Sequence, residues 1–487
     1  MSVYHEQETV RSFGRCARGT SDVYMPTNAD DVNEVFDIAR KSRRRIAIRG
    51  GGHSFDGQAL HDKDNGNQII LSAERFDPAR IDPGANTVTL GAGVQWGVFV
   101  AKAITAAQTN GHPIRIPGSM QTAREATVAG TLSGNCLSRF SGIGGKESRW
   151  IESFGIITPA SGKRVTVTEA SDPDLFHAVI GGQGYIGFVT DATYRLIEID
   201  NRSVAHSDIT THQTFGELIQ KQLQLVQSEA PPRAISSVWF TEPDLLHPNR
   251  IKGAVFDSSY ATPSTPPLPG FPLYSDIDSE FRYWVETMLA REQFTNLLIH
   301  EFLYTLVKLD NGKFENDLLD FLFFIDGNTS AKEKFERIHF PQQFPIVQQT
   351  FVVPADQAAD FATHCMRKMR SFEYRLHPTE CDMLFVQGDE SLMSANYHLD
   401  GFAITIGFEP EAPEGCPPDK IPKLFRELSE DCLHAGGRIH LTKNLYVDPK
   451  VFRPMFSPQI AQFETIKRLH DPDLLIQNPF SDAFFQF

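Results

Sequence analysis

Cysteine is scarce in this chain and never clustered. Cys16, Cys136, Cys365, Cys381, Cys416 and Cys432 show no CxxC spacing. This excludes a recognisable zinc or redox motif and fits reduced thiols, so a cytoplasmic location is expected. The histidines lack HxxxH, HExxH and facial-triad spacing, so no metal site is expected. Basic charge is also short. A net charge of −15, with no basic tract interleaved with aromatics, argues against a nucleic-acid partner and an anionic membrane surface. The longest apolar run, near Leu318 to Ile325, falls far short of the ~20 residues of a membrane span. The opening MSVYHEQETVRSFGRCARGT has no apolar h-region, and no secretory signal is expected.

With 487 residues the chain is long enough for two or three domains. The first 200 residues read as alternating helix and strand. Val32, Val35, Phe36 and Ala39 recur at helical spacing after Pro26-Thr27-Asn28. Arg45–Arg49 and Thr87–Gly93 read as strands, Val94–Ala107 as a helix, Phe188–Ile197 as a strand. Ile151–Ile157 and Arg164–Val167 flank a turn and predict a hairpin. From about residue 203 the texture changes. Phe215–Val226 is helical, and Phe351–Val353 and Phe402-Ile404-Ile406-Phe408 look like strands of a second sheet. Ala261–Pro272, ATPSTPPLPGFP, predicts a mobile loop.

What the chain has in plenty is ordered glycine. Arg49–Gln58 reads RGGGHSFDGQ and follows a short strand. Consecutive glycines let backbone turn tightly and approach a ligand, and their exposed amides suit phosphate oxygens. Three more small-residue segments follow: Val88–Gly97 (VTLGAGVQWG), Pro117–Gly134 (PGSMQTAREATVAGTLSG) and Asp172–Thr190 (DPDLFHAVIGGQGYIGFVT). Each alone is as readily an ordinary turn. Together they suit an extended dinucleotide that needs backbone on nearly every side. A nicotinamide-type GxGxxG unit does not describe RGGGHSF.

In order and spacing the four segments resemble those of the vanillyl-alcohol-oxidase superfamily, with its PCMH-type FAD-binding domain. The resemblance implies an α+β fold. An FAD-binding domain would span residues 1–200, a substrate or cap domain with a sheet over the flavin residues 201–430, and a C-terminal segment returning to the FAD domain residues 431–487. It implies FAD as cofactor, covalently joined by a single bond through His53. The implied cofactor-binding residues are Arg49, Gly50, Gly51, Gly52, His53, Ser54 and Gln58 in the loop. Pro117, Gly118, Ser119, Thr127, Gly130, Ser133, Gly134 and Asn135 come from the second stretch, and Gly184, Gly187, Phe188 and Val189 from the last. Berberine-bridge-type members carry a second attachment cysteine before the TVGG-like segment. Here Arg124-Glu125-Ala126 stand there, and Cys136 is expected to be a small buried thiol. The overall pattern is similar to that of the decaprenylphosphoryl-ribose oxidases, but Leu137-Ser138-Arg139-Phe140 replace their HGKN-like stretch.

Near the end, GGRIHLTKNLYVDPKVFRPM places Arg438, His440 and Lys443 at the spacing of sugar and polyol oxidases of the superfamily. His470-Asp471-Pro472-Asp473-Leu474 and Asn478-Pro479 resemble the ending that returns to the FAD domain. The implied activity is oxidation of a CH–OH group of a sugar, polyol or related hydroxylated small molecule, with hydride transfer to flavin N5. That chemistry needs a base for the hydroxyl proton and a cation near flavin N1. Lys443, His440 and Gln348 are the candidate catalytic residues, and Tyr446 points into the site or packs. Trp96 and Trp150 are expected in the core. An oxidative tailoring enzyme of natural-product synthesis and a non-catalytic flavin-binding protein are the other readings. The electron acceptor, oxygen or another, and the oligomeric state are left open.

Overall fold

The computed structural model describes residues 3–61, 68–120, 123–241, 249–270, 304–305, 308, 312–323, 344–410 and 418–487. Sheets and helices are segregated, as in an α+β protein. Strands His5–Arg11, Arg18–Tyr24, Ile69–Ser72 and Ile46–Arg49 form one four-stranded sheet in that spatial order. The last two strands run parallel, and so do the middle two. A second, antiparallel sheet orders Ile81–Pro83, Thr87–Gly91, Phe188–Arg195, Ile151–Ile157 and Arg164–Val167. The hairpin read from residues 151–167 is present in register, Ile157 opposite Arg164.

The helix after Asn28 forms over Ala29–Ser42. Asn28 caps it by accepting from the Asp31 amide, an interaction of about 1 kcal/mol, and Arg43 ends it in the left-handed region. Its Val32, Val35, Phe36 and Ala39 are buried. The apolar spacing therefore faces the core as expected. Phe215–Val226 is a helix with a Thr214–Glu217 capping box.

The largest sheet has eight strands, ordered Lys313–Asn316, Val204–His212, Ile251–Ala261, Ala234–Thr241, Glu380–Val386, Gly401–Phe408, Val347–Pro354 and Arg438–Ile439. Its two faces differ. Phe351 packs on Phe361 and Phe425 from helices Ala358–Arg370 and Lys420–His434. The opposite face carries Val352, Val386 and Ala403, clustered with Leu137 and Ala395. Alternation along each strand separates the two sets.

After the last strand of this sheet the chain runs back to the first sheet. Ile476 bridges Ile46 in parallel, and Leu475 O accepts from the Ile46 amide at 2.7 Å. Asn478 Nδ2 donates to the carbonyls of Gly57, Gln58 and Leu60. A fully buried ion pair, Lys467 with Asp471 at 2.5 Å, fixes this return, because Asp471 also accepts from the Leu475 and Ile476 amides.

The proline-rich segment differs from expectation. Ser264 N donates to Glu315 Oε2 at 2.8 Å, and Glu315 N to Pro269 O at 3.0 Å. Residues 262–270 are thus pinned along the edge strand, because that strand's free backbone groups need partners. Phe271 and Pro272 lie outside the described residues, as do Ile325 of the apolar run and Cys416. Among the described residues, no helix is long and apolar enough to cross a membrane.

Candidate flavin site

The four glycine segments meet in space. Ala92 N donates to Thr190 O, Val128 N to Val94 O, Ala129 N to Ala92 O, Trp96 N to Ala126 O and Gly97 N to Arg124 O. Gln183 N reaches Ser133 O at 2.8 Å. The first loop joins them through Gly51 N, which donates to Thr127 Oγ1 at 3.1 Å. A methyl at Gly50 would lie 2.6 Å from Thr127 Oγ1 and 3.0 Å from Gly130 Cα. Backbone therefore packs directly on backbone here, and only glycine allows it. Gly52 takes φ +77, with the Arg49 guanidinium against it.

His53 stands at the end of this junction. Its ring stacks on Phe13 at 5.4 Å, and Nε2 lies 3.7 Å from Glu125 Oε2. Nδ1 is buried without a hydrogen-bond partner. A buried polar atom left unpaired is unusual in a folded chain and marks a place for an external group. The glycine junction and this nitrogen fit a flavin dinucleotide. Gly118 is pressed on Trp150, a methyl there lying 2.2 Å from the ring, and Trp150 Nε1 donates to Gly144 O. Trp96 is fully buried. Both tryptophans serve packing. Pro117, Ser119, Gly134 and Val189 are buried beside these segments, and Gly184 takes φ +78 beside Ile48. Gly187 sits where a methyl would meet Ile157 O at 2.8 Å, and Ser54 O accepts from Phe13 N.

Several expected cofactor contacts have side chains occupied by the protein itself. Gln58 Nε2 donates to Leu441 O and Lys443 O, so it positions the C-terminal segment. Asn135 donates to Asp389 and Ser391 and accepts from Ser148 N. Arg49 Nη2 donates to Arg11 O. Phe188 is buried edge-on against Phe76. Arg438 is engaged in the same way: its donors go to the carbonyls of Met455, Ala395 and Tyr397. A guanidinium has five donors and no acceptor, so carbonyls suit it as partners.

The catalytic candidates do come together. Lys443 Nζ donates to Gln348 Oε1 at 2.7 Å and lies 3.9 Å over the Phe55 ring. Phe55 in turn packs on Phe13, which stacks on His53. Gln348 Nε2 donates to Glu380 Oε2 at 2.5 Å. The bridge spans three strands because Gly407, between the two residues in register, has no side chain; a methyl there would lie 3.0 Å from Gln348 Cγ. Asn444 and Gln348 exchange two bonds, Gln348 N to Asn444 Oδ1 and Asn444 N to Gln348 O, fixing Lys443 beside the sheet. His440 is buried and shares a 2.7 Å hydrogen bond with Thr442. Burial, then the charges of Lys146 and Lys443, hold its pKa well below the usual imidazole value. It is a neutral hydrogen-bonding group. Tyr446 stacks on Phe425, and burial pushes the Cys136 thiol up to about 12, so both are packed groups.

Sequence reading missed three neighbours. Glu380 and Asp382 sit on alternate positions of the strand Glu380–Val386, opposite in phase to buried Cys381, Met383 and Phe385. That polar alternation was a usable signal. Lys146, buried, pairs with Asp389 at 2.6 Å and bonds Ser394. Nothing local marks that pair.

Residues 21–168 match the family described as FAD binding domain. The chain is similar to an uncharacterized oxidoreductase in the fasciation locus of Rhodococcoides fascians, 31% identical over 38% of this chain and 39% of that one. It is similar to an FAD-linked oxidoreductase of Aspergillus fumigatus, 29% identical over 47% and 45% respectively. The match thus spans less than half the length of either relative. A decaprenylphosphoryl-beta-D-ribose oxidase of Mycolicibacterium smegmatis is 22% identical over 95% of this chain and 94% of its own. With its glycine segments joined around His53, the chain carries an FAD binding domain over residues 21–168, and FAD is its cofactor.

Proposed function

We propose that this protein is an FAD-dependent oxidoreductase that oxidises a CH–OH group of a sugar, polyol or related hydroxylated small molecule. The observation that carries this reading is the row Lys443–Gln348–Glu380, joined through Phe55 and Phe13 to His53. A hydroxylated substrate needs donors and acceptors placed close together, and this row offers an ammonium, an amide and a carboxylate. Bound FAD supplies the two-electron acceptor. The glycine junction would hold its phosphates, and the sheet face opposite helices Ala358–Arg370 and Lys420–His434 would cover its ring. Lys443 holds developing negative charge, and His440 orients through Thr442.

The same reading gives FAD a single covalent bond through His53, favoured by the unpartnered Nδ1. Intact-protein mass after acid denaturation is expected to exceed that of the polypeptide by one FAD. His53→Ala is expected to lose the acid-stable flavin, and flavin that survives denaturation in this variant defeats the assignment.

A second reading is oxidative tailoring of a larger apolar compound. It is favoured by the apolar half of the same face, Val238, Leu384, Val352 and Ala403, and by the similarity to FAD-linked fungal relatives. Anaerobic addition of substrates separates the two. Polyols or sugars are expected to bleach the flavin absorbance. Bleaching only by aromatic or polyketide-like compounds would turn the assignment to the second reading.

A further inference from the structure

We infer that Asp382 is the general base that takes the hydroxyl proton of the substrate. The inference rests on the alcohol-oxidation reading and adds to it a residue that the superfamily resemblance does not supply.

The position comes from register. On the face opposite Phe351 and its helices, Asp382 lies opposite Thr405, which lies opposite Thr350, and the two threonine hydroxyls share a 2.9 Å hydrogen bond. On its other side stands Val238. The next row along the same face is Glu380, Gly407 and Gln348. Asp382 is therefore one row away from the amide that Lys443 grips, on the face that the FAD-bearing half of the chain closes.

The other polar groups of the site are already engaged. Glu380 accepts from Gln348. Asp389 holds Lys146. Glu147 accepts from Thr131 and Tyr194. His440 is hydrogen-bonded to Thr442, and two ammonium groups oppose its protonation. Asp382 Oδ1 is buried and has no hydrogen-bond partner, as is Glu147 Oε2, but Asp382 alone of the two lies on the sheet, one row from Gln348. A carboxylate oxygen held off water beside a lysine and two threonine hydroxyls is placed to receive a hydroxyl group.

Its acidity suits the task. Burial first, then the like charge of Glu380, push the Asp382 carboxyl up to about 7, against the lowering effects of Thr405 and Lys443. Cys381, the titratable neighbour on the other face, is a buried thiol pushed upward. A base works best when its pKa lies near the working pH.

The step balances as follows. The substrate C–H hydrogen leaves with its electron pair to bound FAD. The O–H proton goes to Asp382 Oδ1, and the oxygen's electron pair forms the C=O bond. Two electrons are lost by the alcohol and gained by FAD, and the carboxyl proton later passes to solvent.

The test uses holoprotein and an alcohol that bleaches it. The wild-type rate of flavin reduction is expected to rise with pH through a midpoint near 7, as the carboxylate forms. Asp382→Asn is expected to lower kcat/KM on the order of 10²–10⁴-fold and to lose that acid limb, with flavin content and visible spectrum unchanged. Asp382→Glu should recover part of the rate together with the limb. Independently of turnover, the protonated-carboxyl infrared signal that fades with a midpoint near pH 7 in wild type should lose one carboxyl's intensity in Asp382→Asn, the remainder belonging to Glu147, which burial also pushes up to about 7. A rate within a few-fold of wild type in Asp382→Asn, or an unchanged infrared titration, overturns the role of Asp382 while the alcohol reading stands. Failure of every alcohol to bleach wild-type flavin overturns both.

Discussion

Asp389→Ala is expected to lower stability by about 3–5 kcal/mol, the cost of breaking a buried ion pair from one side. Lys146, its partner at 2.6 Å, has a side chain only 1% exposed. The same carboxylate accepts from Asn135 Nδ2 and Ser394 Oγ through Oδ2, and from Ser391 N through Oδ1. Truncation leaves a buried ammonium with only Ser394 to bond, and it frees three further donors. An exposed pair such as Arg202 with Asp200 carries no such consequence, because water solvates both groups.

The effect reaches the cofactor as well. Asn135 and Lys146 belong to the segment around the glycine junction, whereas Asp389, Ser391 and Ser394 belong to the loop after a sheet strand. Urea unfolding followed by flavin fluorescence should show a lower midpoint, the flavin meeting solvent at a lower urea concentration. The double variant Lys146→Met with Asp389→Leu should recover much of the loss, since removing both charges removes the desolvation penalty. A double variant as unstable as the single one would show that packing, not the unpaired charge, carries the effect.

Lys443→Met should reduce turnover on the order of 10²–10³-fold, the usual consequence of removing one positioned charge or donor from a reacting centre. The methionine loses the ammonium that lies over Phe55 but keeps an unbranched apolar stem in its place, so the protein should retain its fold and its flavin. Gln348 would keep its bond to Glu380 and lose the one from the lysine. The loss should fall on kcat rather than KM if the ammonium acts only as charge develops. Rapid-reaction measurement of flavin reduction checks it. A reduction rate unchanged in Lys443→Met would remove this lysine from the chemistry and leave it as a packing residue.

Much of the site was legible along the chain, and some of it was not. The loop around His53 and the three later segments each announce themselves by glycine, because a close backbone approach tolerates nothing larger. Their order pointed to FAD before any contact was known. Helices such as Ala29–Ser42 and Phe215–Val226 were equally visible, since their caps and apolar spacing lie within a few residues. Lys443 and Gln348 were each marked by resemblance to sugar-oxidising relatives, but that the two, 95 residues apart, bond to each other was hidden until the strands were paired.

Tertiary structure decided how the side chains were used. Gln58, Asn135 and Arg438 carry polar groups of the kind a cofactor would accept, yet each is spent on the protein's own backbone or side chains. Glu380 and Asp382 joined the site through strand register across Gly407 and Thr405. Lys146 met Asp389 across the boundary between two sheets. By itself the sequence determined which cofactor is held and where the tight turns fall, because those are local demands on the backbone. Only the fold decided which carboxylate stands beside Gln348 with one oxygen unpaired, because that depends on every neighbour brought in from afar.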